Sequence, residues 1–219
     1  MRLRLSRLLD LLERAYGSSD WWPGNSPFEI ALGAILTQRT SWRNVEYAIA
    51  ELEAQGLLEP EAMASADMRV LEAAIRPSGF YHRKAAYISA FANYLTTRHG
   101  GDMKQMRETE TTELRRELLE LHGVGPETAD SILLYALGRP SFVVDAYTIR
   151  LLRRLGFRED LDYESVKRRF EVALKGDVEK FKRMHALIVI HCKERCSARP
   201  NCLGCPLSGN CPSEREYEE

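Results

Sequence analysis

From Met1 to His191 the chain contains no cysteine; its five, Cys192, Cys196, Cys202, Cys205 and Cys211, crowd into the last stretch. A disulfide framework spreads its cysteines to staple distant segments, so this clustering argues against one and favours a metal site. Long apolar runs are missing too. Nothing approaches the roughly eighteen residues a membrane-crossing helix needs. The basic, apolar start Met1-Arg-Leu-Arg-Leu-Ser6 is interrupted by Arg7, Asp10, Glu13 and Arg14, and reads as an amphipathic helix of a cytosolic protein rather than a signal peptide. Positive charge is not in excess: 31 Lys and Arg against 32 Asp and Glu leave a net charge of −1. That excludes a broadly basic nucleic-acid coat, but not binding through a few cations and backbone amides. Part of the negative charge sits in the tail Glu214-Arg-Glu-Tyr-Glu-Glu219, which is expected to fray.

Strand-like alternation is absent as well, and helical periodicity takes its place. With 44% of its 219 residues hydrophobic, the chain can bury one good core or divide it between two small lobes. Leu5, Leu8, Leu9 and Leu12 recur at helix spacing until Gly17-Ser-Ser-Asp20 breaks the pattern. Pro27 opens a second, strongly apolar helix over Phe28-Glu-Ile-Ala-Leu-Gly-Ala-Ile-Leu36. Further helices are expected over 42–55, 68–75, 83–98, 111–120, 126–137, 146–155, 163–174 and 178–192. The class is therefore all-α. A boundary is expected near Gly138-Arg-Pro140, where a helix must stop. The first helix should pack on the C-terminal half, because alone it cannot bury its leucines.

Leu121-His-Gly-Val-Gly-Pro-Glu-Thr-Ala129 carries the strongest local signal. Gly123 and Gly125 allow a tight turn with positive φ, Val124 lies between them, and Pro126 suits a first helical position. The free amides at such a helix start, aided by the helix dipole, suit a DNA phosphate. An ordinary helix–turn–helix corner is the competing reading. Asp145 follows the apolar Phe142-Val-Val144 and reads as the N-cap of the next helix. Trp21-Trp22-Pro23 and Trp42 are the prominent aromatics. A flipped base is commonly held between aromatic faces, and an electron-rich sandwich favours a cationic, alkylated base. Trp22 and Trp42 fit that role, while Trp21 reads equally well as core. Cys196-x5-Cys202-x2-Cys205-x5-Cys211 supplies four thiolates, enough for a [4Fe–4S] cluster or for tetrahedral zinc.

The block Leu121-His-Gly-Val-Gly-Pro-Glu-Thr-Ala-Asp130, followed by Val143-Val-Asp145, resembles the helix–hairpin–helix glycosylase superfamily that includes endonuclease III. The likeness runs from about Trp21 to Cys211. It implies two helical lobes flanking a DNA-binding cleft: 24–137, a six-helix barrel-like domain with the hairpin, and 1–23 plus 138–219, which carries the cluster loop 192–211. It assigns Asp145 as the catalytic carboxylate. Superfamily members that also cleave the strand have a lysine eighteen residues before that aspartate, where this chain has Glu127. A carboxylate cannot form a Schiff base, so AP-lyase activity is not expected and water is the nucleophile. The resemblance further places Gln38 in the gap left by a flipped nucleotide and Phe80 as a wedge in the opposite strand. Arg83 and Lys84 would reach phosphates, or else be simply solvated. It favours [4Fe–4S] over zinc, although the usual first gap is one residue longer than the five here. Cys192 is the other candidate first ligand. The cluster would fold a basic loop with Lys193, Arg195 and Arg199 against DNA.

Trp21-Trp-Pro23, Phe28-Glu29, Leu36-Thr-Gln38, Arg76-Pro-Ser-Gly-Phe-Tyr81 and Gly123-Val-Gly-Pro-Glu127 are most similar to the 3-methyladenine DNA glycosylase III branch. That resemblance implies base-excision repair of damaged double-stranded DNA by removal of alkylated purines without strand cleavage. The expected protein is a cytoplasmic, nucleoid-associated monomer that works ahead of an AP endonuclease and has no membrane partner. Two alternatives stand beside it. One is an endonuclease III-like enzyme for oxidised or mismatched bases with weak lyase activity; the other is a non-catalytic iron–sulfur DNA-binding module.

Overall fold

The computed structural model describes residues 3–17 and 24–216, with side chains to residue 214. Among them there is no strand, as the helical periodicity requires, and no helix is long and apolar enough to cross a membrane. The chain divides into two compact units, Trp22–Arg139 and Met1–Trp21 with Pro140–Glu219.

The unit Trp22–Arg139 is built around α2 (Pro27–Leu36). Ser26 caps this helix by accepting from Glu29 N, Pro27 supplies its first position, and Phe28, Ala31, Leu32, Ala34, Ile35 and Leu36 are all buried. A helix apolar on nearly every side has to be central. Around it run α3 (Trp42–Ala54), α4 (Pro60–Ser65), α5 (Met68–Ala74), a 3-10 turn Arg76–Ser78 and α6 (Tyr81–His99). They are followed by α7 (Met103–Met106), α8 (Thr111–Glu120) and α9 (Pro126–Ser131). Helix α3 buries Val45, Ala48 and Leu52, one face at helix spacing, and Phe91 of α6 stacks on Phe28 with ring centres 6.0 Å apart. The helix expected over 126–137 divides: α9 gives way to a π turn, Ile132–Ala136, with its five residues buried.

The other unit contains α1 (Leu5–Tyr16), α10 (Ala146–Arg154), α11 (Tyr163–Ala173) and α12 (Val178–Glu194). Leu5, Leu8, Leu9 and Leu12 are buried, and α1 packs on α12 and α11, the partners its leucines require. Arg183 of α12 adds an ion pair to Glu13 at 2.8 Å. Phe142 stacks on Phe170 at 4.2 Å and meets Phe181 edge-on at 5.7 Å. Phe142-Val-Val144 is therefore a buried, extended lead-in to α10, held by a wedge of rings.

Candidate active site and nucleic-acid interface

The hairpin joins α8 to α9. Gly123 has φ +84°, a backbone conformation that suits glycine, and an added Cβ would meet the Tyr87 ring at 2.2 Å. Gly125 behaves differently. Its φ of −95° with ψ −180° is extended, so the positive φ expected of the turn comes from Gly123. An added Cβ at Gly125 meets nothing within 4 Å. Its glycine leaves an uncovered backbone at the start of α9. Val124 between them is buried and donates its amide to Leu121 O. Behind the turn, Arg115 of α8 grips the fully buried Asp130 of α9 with two parallel bonds, Nε to Oδ1 at 2.8 Å and Nη2 to Oδ2 at 3.0 Å. This planar fork fixes one hairpin arm on the other.

A hollow of about 460 Å³ opens beside the hairpin, and Gln38, Arg39, Phe80, Arg83, Tyr87 and Glu127 are among the residues lining it. Gln38 Nε2 donates to Gly123 O at 2.9 Å and to Thr128 Oγ1 at 3.1 Å, which ties this loop to the hairpin. Phe80 is 58% exposed and takes φ +48° directly after Gly79 at φ +68°, so the backbone thrusts an aromatic ring outward. Arg39, next to Gln38, is also left-handed at φ +54°. Such strain in bulky residues collects where function requires it. Arg83 is exposed and donates to the Tyr87 hydroxyl at 3.1 Å. Lys84 is neither solvated nor available to a phosphate, which corrects both expectations for it. It is 2% exposed, and its ammonium donates to two backbone carbonyls. Trp42 opens α3, packs on the core and directs its indole N–H to Glu46; it is not among the residues lining the hollow. Trp21, Trp22 and Pro23 lie outside the described residues.

Asp145 is the N-cap of α10. Its Oδ1 accepts from Thr148 N at 2.7 Å and from Thr148 Oγ1 at 2.8 Å. Its Oδ2 faces His185 Nε2 of α12 at 3.5 Å, with the imidazole 5% and the carboxylate 11% exposed. Burial alone would raise the carboxyl pKa, but the facing imidazole and the Thr148 donors outweigh it and hold the group below the ordinary carboxylate value. The result is a rigid, ionised carboxylate in a nearly dry setting. Sequence reasoning missed His185. Its only signal was a histidine inside the apolar run Met184-His-Ala-Leu-Ile188, which reads equally well as core.

Cys196, Cys202, Cys205 and Cys211 line one pocket together with Arg154, His191 and Leu207. Cys192 is not among its lining residues, and its thiol points to Tyr147 O at 3.6 Å. Cys196 is held well below an ordinary thiol: hydrogen bonds from Cys192, His191 and Arg154 overcome the opposing effect of burial. Arg154 Nη1 reaches its Sγ at 3.0 Å. A thiolate is the form that binds metal, so the donor set fits a thiolate-ligated group. Among the described residues, no three His, Cys, Asp or Glu side chains converge as a single ion requires. Four thiols around a shared pocket are the donor set of either a [4Fe–4S] cluster or a tetrahedral zinc.

An all-helical chain with this glycine turn, braced hairpin arms and capped carboxylate is of the helix–hairpin–helix class. It belongs to the HhH-GPD superfamily of base excision DNA repair proteins, whose family pattern matches residues 32–175. A candidate DNA repair glycosylase of Methanocaldococcus jannaschii is 44% identical over 211 residues, covering 95% of this chain and 96% of that protein. Endonuclease III of Haemophilus influenzae is 29% identical, covering 89% of this chain and 86% of its own length. Among solved structures, the H. pylori 3-methyladenine DNA glycosylase bound to 1,N6-ethenoadenine has a TM-score of 0.80 at 27% identity, over 88% of this chain and 98% of that one. A non-covalent endonuclease III–DNA complex reaches a TM-score of 0.82 at 24% identity, with 98% of both chains covered, a likeness of fold.

Proposed function

We propose that the chain is a monofunctional DNA glycosylase that removes an alkylated purine such as 3-methyladenine from double-stranded DNA. Asp145 carries the reading. As the N-glycosidic bond breaks, its electron pair leaves with the base and positive charge builds on the deoxyribose. A fixed, ionised carboxylate stabilises that charge and orients the water whose oxygen attacks the same carbon. Glu127, in the position of the lyase lysine, has no amine to trap the sugar aldehyde. The strand would then stay intact for a separate AP endonuclease.

In this reading the backbone amides of Gly123 and Gly125, either side of Val124, grip a phosphate, Arg83 reaches another, and Gln38 and Phe80 occupy the space around the extruded nucleotide. Trp21, Trp22 and Pro23 supply the base pocket on sequence grounds. The likeness to the H. pylori 3-methyladenine glycosylase supports the alkylpurine preference. Cys196, Cys202, Cys205 and Cys211 would hold a [4Fe–4S] cluster that keeps the surrounding basic loop folded. The test uses duplexes that each carry one lesion, incubated with and without alkali. Alkali-dependent scission at an alkylated purine is expected, and Asp145→Asn should abolish it. Borohydride-trapped adducts would overturn the monofunctional reading. Release of oxidised or mismatched bases alone would overturn the substrate class, and no release from any lesion would leave a DNA-binding module.

A further inference from the structure

Helix ends leave carbonyls without intrahelical partners, and buried ones need donors from elsewhere. Two such carbonyls, Leu36 O at the end of α2 and Ser78 O at the end of the 3-10 turn, converge on one side chain. Lys84 Nζ donates to the first at 2.8 Å and to the second at 2.7 Å. The two carbonyls share a further relation. Leu36 lies two residues before Gln38, and Ser78 lies two before Phe80. Gln38 and Phe80 each lie at or beside a left-handed kink, Arg39 at φ +54° next to Gln38 and Phe80 itself at φ +48°. A burial site for an apolar residue would not require an amine; methionine covers similar area without desolvating a charge. Burial does act on this amine, lowering its pKa to about 8. What lysine adds is a long stem with several donors, able to bridge two main-chain segments.

One face of α6 carries positions 83, 84 and 87 at helix spacing, and Phe80 is the residue that caps its start. Tyr87 abuts Gly123 of the hairpin, and Gln38 bonds to Gly123 O. The Gln38 loop, the Phe80 turn and the hairpin are thus joined through one helix face. We propose that Lys84 is a positioning residue that fixes the separation of Gln38 and Phe80, so that both enter DNA at one lesion without Lys84 touching DNA. The proposal rests on the reading of Gln38 and Phe80 as inserting side chains.

The test places 2-aminopurine beside an uncleavable tetrahydrofuran abasic analogue, so that its fluorescence rises when protein side chains unstack the duplex. Wild type should raise it, and the Gln38→Ala/Phe80→Ala double variant should not. Lys84→Met should lose most of the rise and slow single-turnover base release on the order of ten- to a hundred-fold, the scale set by a small misplacement. Its affinity for undamaged duplex, set by backbone contacts, should change less than about three-fold. Added to the double variant, Lys84→Met should slow release by no more than about two-fold, because its effect passes through those side chains. A cooperatively folded Lys84→Met with the wild-type fluorescence and rate would overturn the proposal, as would an effect that multiplies fully with the double variant. If the double variant itself matches wild type, the inserting reading fails and takes this proposal with it. Should Lys84→Met not fold, Lys84→Gln, which keeps a donor, is read by the same criteria.

Discussion

A carboxyl group withdrawn from water as far as Asp145 would ordinarily keep its proton, and the Thr148 donors with the His185 imidazole reverse that outcome. Because its folded pKa lies below the unfolded value, the group's contribution to stability is intact above the ordinary carboxylate range. It is lost as pH falls through the folded value. His185→Leu removes the facing imidazole and leaves burial dominant. The acidic limb of the base-release profile should then move to higher pH, measured as rate against pH. An unmoved limb would show that Thr148 suffices. The two hairpin glycines separate in the same way. Gly123→Ala meets both a φ of +84° and the Tyr87 ring at 2.2 Å, and should lower stability by about 2–4 kcal/mol in denaturant unfolding. Gly125→Ala faces open space at φ −95° and should alter stability by less than about 1 kcal/mol, while weakening duplex binding where the bare backbone meets a phosphate.

At the scale of elements, the hairpin is braced from behind by Arg115 and Asp130. Asp130→Ala removes both bonds of the fork on the Arg115 guanidinium, only 19% exposed, and should cost about 2–3 kcal/mol by chemical unfolding, against much less for an exposed pair such as Arg116–Glu120. Sequence periodicity located the long helices to within a residue or two at most ends, since each buries a continuous stripe. It did not disclose α4 or α7, which are too short to establish a period. Nor did it disclose the π turn after α9. One carbonyl there is met from another segment: Arg107 donates to Ala136 O at 3.0 Å. A local pattern cannot register donors that arrive from elsewhere.

For the whole molecule, the cysteine segment offers the sharpest test. If Cys196, Cys202, Cys205 and Cys211 hold the proposed [4Fe–4S] cluster, purified protein absorbs broadly near about 400 nm, Cys196→Ser should abolish that absorbance and Cys192→Ser should retain it. The reverse result would make Cys192 the first ligand. Much was legible in the amino-acid order alone: an all-helical class, a glycine turn ahead of a proline-started helix, a capping aspartate and four grouped cysteines. Each of these is written in local chemistry, as a period, a φ requirement, a cap or a spacing. What only the tertiary structure decided is who meets whom. Lys84 looked like a surface cation until α6 buried it beneath the ends of two other elements. His185 carries no distinct signal in the sequence and gains its partner only because α12 sets it against Asp145, and Gly123 acquires its second constraint from the Tyr87 ring. Apart from Lys84 with Ser78, six positions away, these pairings join residues dozens of positions apart. Their partners are chosen by packing, which no local pattern along the chain encodes.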